Sequence, residues 1–186
     1  MSTHRQILVT GVPTAGKTAF CHELVKKFFV QHIQTDPIVT AFQDVFPQLG
    51  ITHKAGSQDL TGHLAVCEKF RPFLFRWIDD LQKNDFVIEG FRMPAEEIIK
   101  RYGPTHQIFV FGYPNASPEE CVARCREFDK NNWTNGVSDE DLKNEFVYLI
   151  EESRRLEELC KEYKVPFINT GEDYSGAIQK ALSMVR

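Results

Sequence analysis

Apolar residues in this chain fall into short dense runs separated by longer amphipathic stretches. Gln6-Ile7-Leu8-Val9-Thr10, Val30-Gln31-His32-Ile33-Gln34-Thr35, Asp85-Phe86-Val87-Ile88-Glu89, Gln107-Ile108-Phe109-Val110-Phe111 and Val165-Pro166-Phe167-Ile168 are rich in β-branched and aromatic residues. They predict strands over 5–10, 30–35, 85–89, 106–112 and 165–168. Between them the spacing turns helical. Apolar positions 20, 21, 24, 25 and 28 predict a helix over 18–28. A longer helix is expected at about 64–83, with Pro72 kinking it or starting its second half. Two more open at Ser117-Pro118-Glu119-Glu120 and Ser138-Asp139-Glu140-Asp141, each with a cap and acids at the positive end. Strands alternating with helices predict an α/β sandwich around a mainly parallel sheet.

Two connections exceed a simple crossover. Residues 37–83 are broken early by Pro47, Gly50, Gly56 and Gly62. Residues 113–163 hold two helices joined by Asp129-Lys130-Asn131-Asn132-Trp133-Thr134-Asn135-Gly136, a polar, turn-rich loop suited to a moving cover. With no repeat or linker, the 186 residues read as one domain, 1–186.

Gly11-Val12-Pro13-Thr14-Ala15-Gly16-Lys17-Thr18 fits the phosphate-binding pattern G-x-x-x-x-G-K-[ST], and it lies between the first strand and the first helix. That context aims backbone N–H groups and a helix N-terminus at one spot. Gly11, Pro13, Thr14, Ala15, Gly16, Lys17, Thr18 and Ala19 are the candidate nucleotide contacts. Lys17 would reach the outer phosphates, and Thr18 would help hold Mg²⁺.

Ligands of parallel sheets bind beyond the carboxyl ends of the strands, so the residues just after each strand are the remaining candidates. Asp36 follows the second strand and could accept a proton from an acceptor hydroxyl; alternatively it caps the helix after Pro37. Glu89 ends the third strand, as a carboxylate holding Mg²⁺ directly or through water would, and Gly90 allows close approach of a ligand. On the helix from 117, Arg124 lies beside the stripe of Cys121, Cys125 and Phe128, while Arg126 points away. On the helix from 138, Leu142, Phe146, Leu149, Leu156 and Cys160 face inward, which puts Arg154 at the flank and Arg155 on the far side. Arg124 and Arg154 are the candidates to neutralise a transferring phosphoryl group, a solvated helix face being the alternative for each. Arg71, Arg76 and Arg92 could grip an anionic acceptor, and His53 and His63 could touch it.

Composition narrows the setting. A net charge of −4 gives no global attraction to nucleic acid or anionic membranes. No apolar run approaches the roughly 20 residues of a membrane helix. The early first strand leaves no room for a leader, and five cysteines, an odd number, suit a reducing compartment. A cytoplasmic protein is expected. Cys121 with Cys125, and His63 with Cys67, read as buried groups rather than metal ligands.

With these residues in view, the whole chain resembles the nucleoside/nucleotide kinase-like group of phosphate-loop enzymes, which includes adenylate, shikimate and gluconate kinases and the zeta-toxin and chloramphenicol phosphotransferases. Glu89-Gly90-Phe91-Arg92 is similar to the Asp-Gly-Phe-Pro-Arg of adenylate kinases, with Glu for Asp and no Pro before Arg. The resemblance implies a three-layer sandwich with a five-stranded parallel sheet in the order 2-3-1-4-5. It implies an acceptor-binding insert at about 37–70 and a lid at about 126–137, with Arg124 and Arg154 as lid arginines and Asp36 as base. ATP and Mg²⁺ follow as donor and cofactor.

The expected activity is transfer of the γ-phosphate of ATP to a small-molecule acceptor, at a hydroxyl group, by a monomer or homodimer. A nucleoside monophosphate kinase is the alternative, motivated by Glu89-Gly90-Phe91-Arg92. A GTP-binding switch is a third reading, against which Asn169-Thr170-Gly171 stands where no Asn-Lys-x-Asp guanine motif occurs.

Overall fold

A computed structural model describes residues 4–53, 60–128 and 134–186, and of Leu60 and Thr61 the backbone only. The five apolar runs form strands β1 (Gln6–Gly11), β2 (Gln31–Gln34), β3 (Phe86–Glu89), β4 (Gln107–Gly112) and β5 (Phe167–Asn169). All pairings are parallel, in the order β2-β3-β1-β4-β5. The helices are α1 (Lys17–Phe28), α2 (Asp36–Val45), α3 (Leu60–Asp80), α4 (Ala95–Tyr102), α5 (Pro118–Phe128), α6 (Asp139–Tyr163) and α7 (Tyr174–Ser183), with a 3₁₀ turn at Pro47–Leu49.

Right-handed crossovers distribute these helices over two layers. The β1-to-β2 connection runs toward one sheet edge, and the later connections run toward the other. Accordingly α1 packs with α7, while α6 packs with α4 and α5 and lies on β4 and β5. The central strand β1 is covered on both faces and buried along its whole length, which is why it reads as a continuous apolar run. On the α1 side Phe20 meets Phe109 and Phe111 at ring-centroid distances of 5.0 and 5.3 Å. The sandwich and its strand order are those the resemblance implied.

α3 begins at residue 60, earlier than its periodicity predicts, and continues through Pro72 to Asp80. The capping reading holds at both later helices. Ser117 and Glu120 exchange bonds, with Glu120 N donating to Ser117 Oγ at 3.2 Å and Ser117 N donating to Glu120 Oε2 at 2.8 Å. Ser138 Oγ accepts from Asp141 N at 3.1 Å. All five cysteines are free and buried. Among the described residues no helix is long and apolar enough to cross a membrane. Residues 54–59 of the expected insert and 129–133 of the expected cover, Trp133 included, lie outside the described residues.

Register decides what meets at the carboxyl edge. Val9 of β1 and Gln34 of β2 both pair with Glu89 of β3. The chain therefore leaves three adjacent strands at one level, so the segments from Gly11, Thr35 and Gly90 converge.

Candidate active site

The loop from Gly11 to Lys17 is formed by backbone that only part of its sequence tolerates easily. Gly11 has φ of 122°, and a Cβ there would run into the backbone of Phe111. Thr14 also carries a positive φ, 59°, which costs a β-branched residue about 1–2 kcal/mol. The tip is held from neighbouring strand ends. Tyr113 Oη, after β4, donates to Pro13 O at 3.0 Å, and Thr170 Oγ1, after β5, donates to Ala15 O at 3.2 Å. Lys17 is buried and its Nζ donates to Val12 O at 2.6 Å. Burial lowers its pKa, and the charges of Glu89 and Asp36 oppose that shift.

The structure brings Thr18 and Glu89 together. Thr18 Oγ1 donates to Glu89 Oε2 at 3.1 Å. The other carboxylate oxygen, Oε1, lies 3.0 Å from His32 Nε2 and accepts from Gln34 Nε2 at 3.2 Å. Burial pushes the Glu89 pKa up, but the His32 bond, the Lys17 charge and the bonds from Thr18 and Gln34 outweigh it and hold the acid below its ordinary range. An ionised carboxylate beside a hydroxyl is a hard oxygen set that suits Mg²⁺ with several waters retained. His32 and Gln34 are neighbours of Glu89 that lie in no motif of the sequence. Their signal was present: two polar residues spaced by two on β2 face one side.

Asp36 is the first residue of α2, with Thr35 at the cap position making no side-chain cap bond. It is exposed, and its charge opposes the burial that lowers the pKa of both Lys17 and Arg92. Gly90 faces the buried Thr35 hydroxyl, and a Cβ at Gly90 would occupy the position of Thr35 Oγ1. Arg92 is buried, and its Nη1 donates to His63 Nδ1 at 2.7 Å. His63 stacks on Phe91 with ring centroids 4.0 Å apart. His53, from the same long connection, places Nε2 3.0 Å from Asp36 O. Glu145 and Tyr148 of α6 lie within electrostatic reach of Arg92. Burial raises Glu145 to about 7 against the pull of Arg92. Residues 145, 148 and 152 form an i, i+3, i+7 row beside the apolar stripe of α6, which the helical spacing could have shown.

The remaining arginines separate. A cavity of about 670 Å³ is lined by Thr14, Gly16, Lys17, Thr18 and Ala19 together with Arg124 from α5 and Tyr174 from α7. Arg124 donates to Thr170 O at 3.1 Å and Gly171 O at 3.0 Å. Arg154 donates to Pro114 O at 3.0 Å and does not line that cavity. Arg126 points away, as expected, and bonds Asp139 at 2.8 Å and Thr134 O at 2.9 Å. Arg155 corrects the helical construction. It is half-buried rather than on a solvated far side, pairs with buried Glu152 at 2.7 Å, and lines a second cavity of about 160 Å³ beside His63 and Phe91. α4 covers this face of α6, so the inward surface is wider than its apolar stripe. Arg71 pairs with Glu97 of α4 at 3.4 Å. Arg76 pairs with Asp80 at 2.9 Å on the last turn of α3, 77% exposed, where the chain heads for the start of β3. That is the sheet end opposite the phosphate loop.

Fold and sequence together define the chain as a three-layer α/β protein with a five-stranded parallel sheet in the order β2-β3-β1-β4-β5 and a phosphate-loop motif after its central strand. Among solved structures it is similar to shikimate kinase from Bacteroides thetaiotaomicron, at 18% identity over 97% of each chain with a TM-score of 0.59. It is also similar to shikimate kinase from Acinetobacter baumannii, solved in complex with shikimate, at 16% identity over 99% of this chain and 94% of that one, TM-score 0.59. A protein from Chloroflexus aurantiacus provisionally described as a kinase matches at 13% identity over 99% and 100% of the chains, TM-score 0.55. No protein-family model matches the sequence, and no curated protein matches it.

Proposed function

We propose that this protein is an ATP- and Mg²⁺-dependent phosphotransferase that phosphorylates a hydroxyl of a small-molecule acceptor. The observation that carries the reading is the contact of Thr18 with Glu89 beside buried Lys17, where Thr18 and Lys17 line the 670 Å³ cavity. Likeness to two shikimate kinases, enzymes of this reaction type, supports it.

In this reading the loop amides and Lys17 hold the donor's phosphates, with Gly11, Pro13 and Ala15 shaping the backbone behind the cavity wall. Thr18 and Glu89 hold Mg²⁺, which supplies charge neutralisation on the transferring phosphoryl group. Arg124 lies along the donor, and Arg154 joins it when the 126–137 stretch acts as a lid. Asp36 accepts or orients the acceptor hydroxyl proton, since it follows β2 at the carboxyl edge of the sheet and its charge acts on both Lys17 and Arg92. Gly90, Arg92 and Arg71 form the acceptor side, contributed with the 37–70 insert by the same domain. Phosphoryl transfer needs little else than this positioning and charge.

The test is ADP formation from ATP and Mg²⁺ against a panel of hydroxylated metabolites, with nucleoside monophosphates as a second panel. Turnover confined to the hydroxyl panel supports the proposal. Faster turnover with AMP or CMP would replace it with the nucleotide kinase reading, for which buried Arg92 directly after β3 is the favouring observation.

A further inference from the structure

Beside the proposed Mg²⁺ position lies a second group of ligand atoms, which shares only Glu89 with the phosphate-transfer reading. Cys21 of α1, His32 of β2 and Glu89 of β3 each offer one ligand atom, and these atoms all lie within 4.8 Å of one another. Cys21 follows Thr18 by one helical turn, so it faces the same strand end one level deeper. Sulfur, imidazole nitrogen and carboxylate oxygen make a borderline-soft set, unlike the all-oxygen set of Thr18 and Glu89. His22 brings its ring to 5.5 Å from that of His32, edge to face.

We propose that Cys21, His32 and Glu89 form a site for Zn²⁺ or a similar transition-metal ion, and that its occupancy suppresses phosphoryl transfer. The suppression rests on the function proposed above; the binding does not. Glu89 is the shared element. Its Oε2 faces Thr18 while its Oε1 faces His32, so one carboxylate serves a hard ion on one side and a softer ion on the other. Drawing its charge to the second side leaves Thr18 without an adequate carboxylate partner, and two cations this close repel. On binding, the metal–sulfur bond replaces the Cys21 S–H bond, and the proton leaves to solvent. Thiolate and carboxylate then neutralise the divalent ion. The edge-strand residue His32, whose side chain is 14% exposed, marks the way in.

The other His–Cys pair shows by contrast what such a site requires. His63 and Cys67 approach to 3.5 Å, yet Arg92 donates to His63 from 2.7 Å and so occupies the ring nitrogen that a metal would need. Among the described residues, Cys21, His32 and Glu89 are the only group of three with the necessary convergence.

The experiment titrates the Mg²⁺-free protein with Co²⁺ or Cd²⁺ and follows the sulfur-to-metal charge-transfer absorption. It then measures Zn²⁺ affinity by competition with a chromophoric chelator. The expected result is one equivalent of metal with a single-thiolate band. Cys21→Ser should abolish the band, and Cys21→Ser and His32→Gln should each weaken Zn²⁺ binding by about tenfold or more, as loss of a ligand or its close support does. Zn²⁺ should raise the Mg²⁺ needed for turnover in the wild type, reversibly on chelation, and should do so at least tenfold less well in Cys21→Ser. Absence of the band, or its persistence in Cys21→Ser, overturns the site whether or not the protein is a kinase. If Cys21→Ser does not fold, His32→Gln alone decides, because unchanged Zn²⁺ affinity there is equally fatal. Tight binding that leaves turnover untouched overturns the inhibitory half.

Discussion

Arg92 Nη1 donates to His63 Nδ1 at 2.7 Å, which requires that nitrogen to carry a lone pair. His63 is therefore neutral in the fold. Burial, and then the Arg92 charge, lower its pKa from 6.5 to about 3. The pair holds a buried guanidinium at the end of β3 without a proton of its own to gain. In the unfolded chain His63 protonates near pH 6.5, so the unfolded state binds the extra proton between about pH 6.5 and 3. Stability is complete above that range and falls as the solution is acidified through it, by up to about 1.4 kcal/mol per pH unit for one group. Replacing His63 with Gln keeps an acceptor for Arg92 but removes the titration. Urea midpoints at pH 7, 5.5 and 4.5 should fall more steeply in the wild type than in His63→Gln. Parallel slopes would show that the histidine is already paired differently.

Lys17 is buried against Val12 O, and its desolvation is a cost to folding rather than a support. Lys17→Met keeps the stem and removes the charge. The thermal midpoint should stay within a few degrees of the wild type or rise, while ATP turnover falls by about a hundredfold or more, the loss typical of one preorganised donor to a reacting group. Circular dichroism melting and ADP release measure the two. A variant that fails to fold would assign Lys17 a structural role.

Legibility follows from how local each signal is. The five strands and the loop at 11–18 are written in contiguous residues, and each strand is found within one or two positions of its run. α4 is harder: it has eight residues and opens from Pro94 without a side-chain cap, so barely two turns of pattern mark it. The site divides in the same way. Lys17 and Thr18 belong to one motif, and Glu89 to an apolar run ending in an acid. The support of Glu89 by His32 and Gln34 depends on sheet register, which a linear chain does not display. The placement of Arg155 and of Arg76 is hidden in the sequence for a related reason. A helical wheel gives direction about one axis, whereas α4 covering α6, and the direction in which α3 runs, decide which arginines meet a cavity.

Asp36 stands exposed at the start of α2 while its charge is felt by both Lys17 and Arg92. A proton-accepting or orienting group is needed in the transition state and not for holding ATP. Asp36→Asn should therefore lower turnover by about 10² to 10⁴ with ATP affinity changed by less than threefold. Rapid-quench turnover and equilibrium nucleotide binding separate the two quantities. Equal losses in both would make Asp36 a donor-side or structural residue.

Gly90 and Thr35 occupy one space between β3 and the start of α2. The Thr35 hydroxyl is fully buried and sits where a Cβ at Gly90 would lie. Thr35 N also donates to Glu89 O at 2.9 Å, so neither backbone can retreat without breaking the tie between the two strand ends. Gly90→Ala should then cost about 1–3 kcal/mol through overpacking. Thr35→Ala removes the obstructing oxygen, and in the double variant part of that cost should be recovered, with a coupling of about 0.5 kcal/mol or more. Thr35→Ser retains the oxygen and should recover little. Chemical denaturation of the three single variants and of the two double variants with Gly90→Ala measures the coupling. Additive losses would mean that the β3 end relaxes away from Thr35, and the convergence of Asp36 with the Gly90–Arg92 segment would then not depend on this contact.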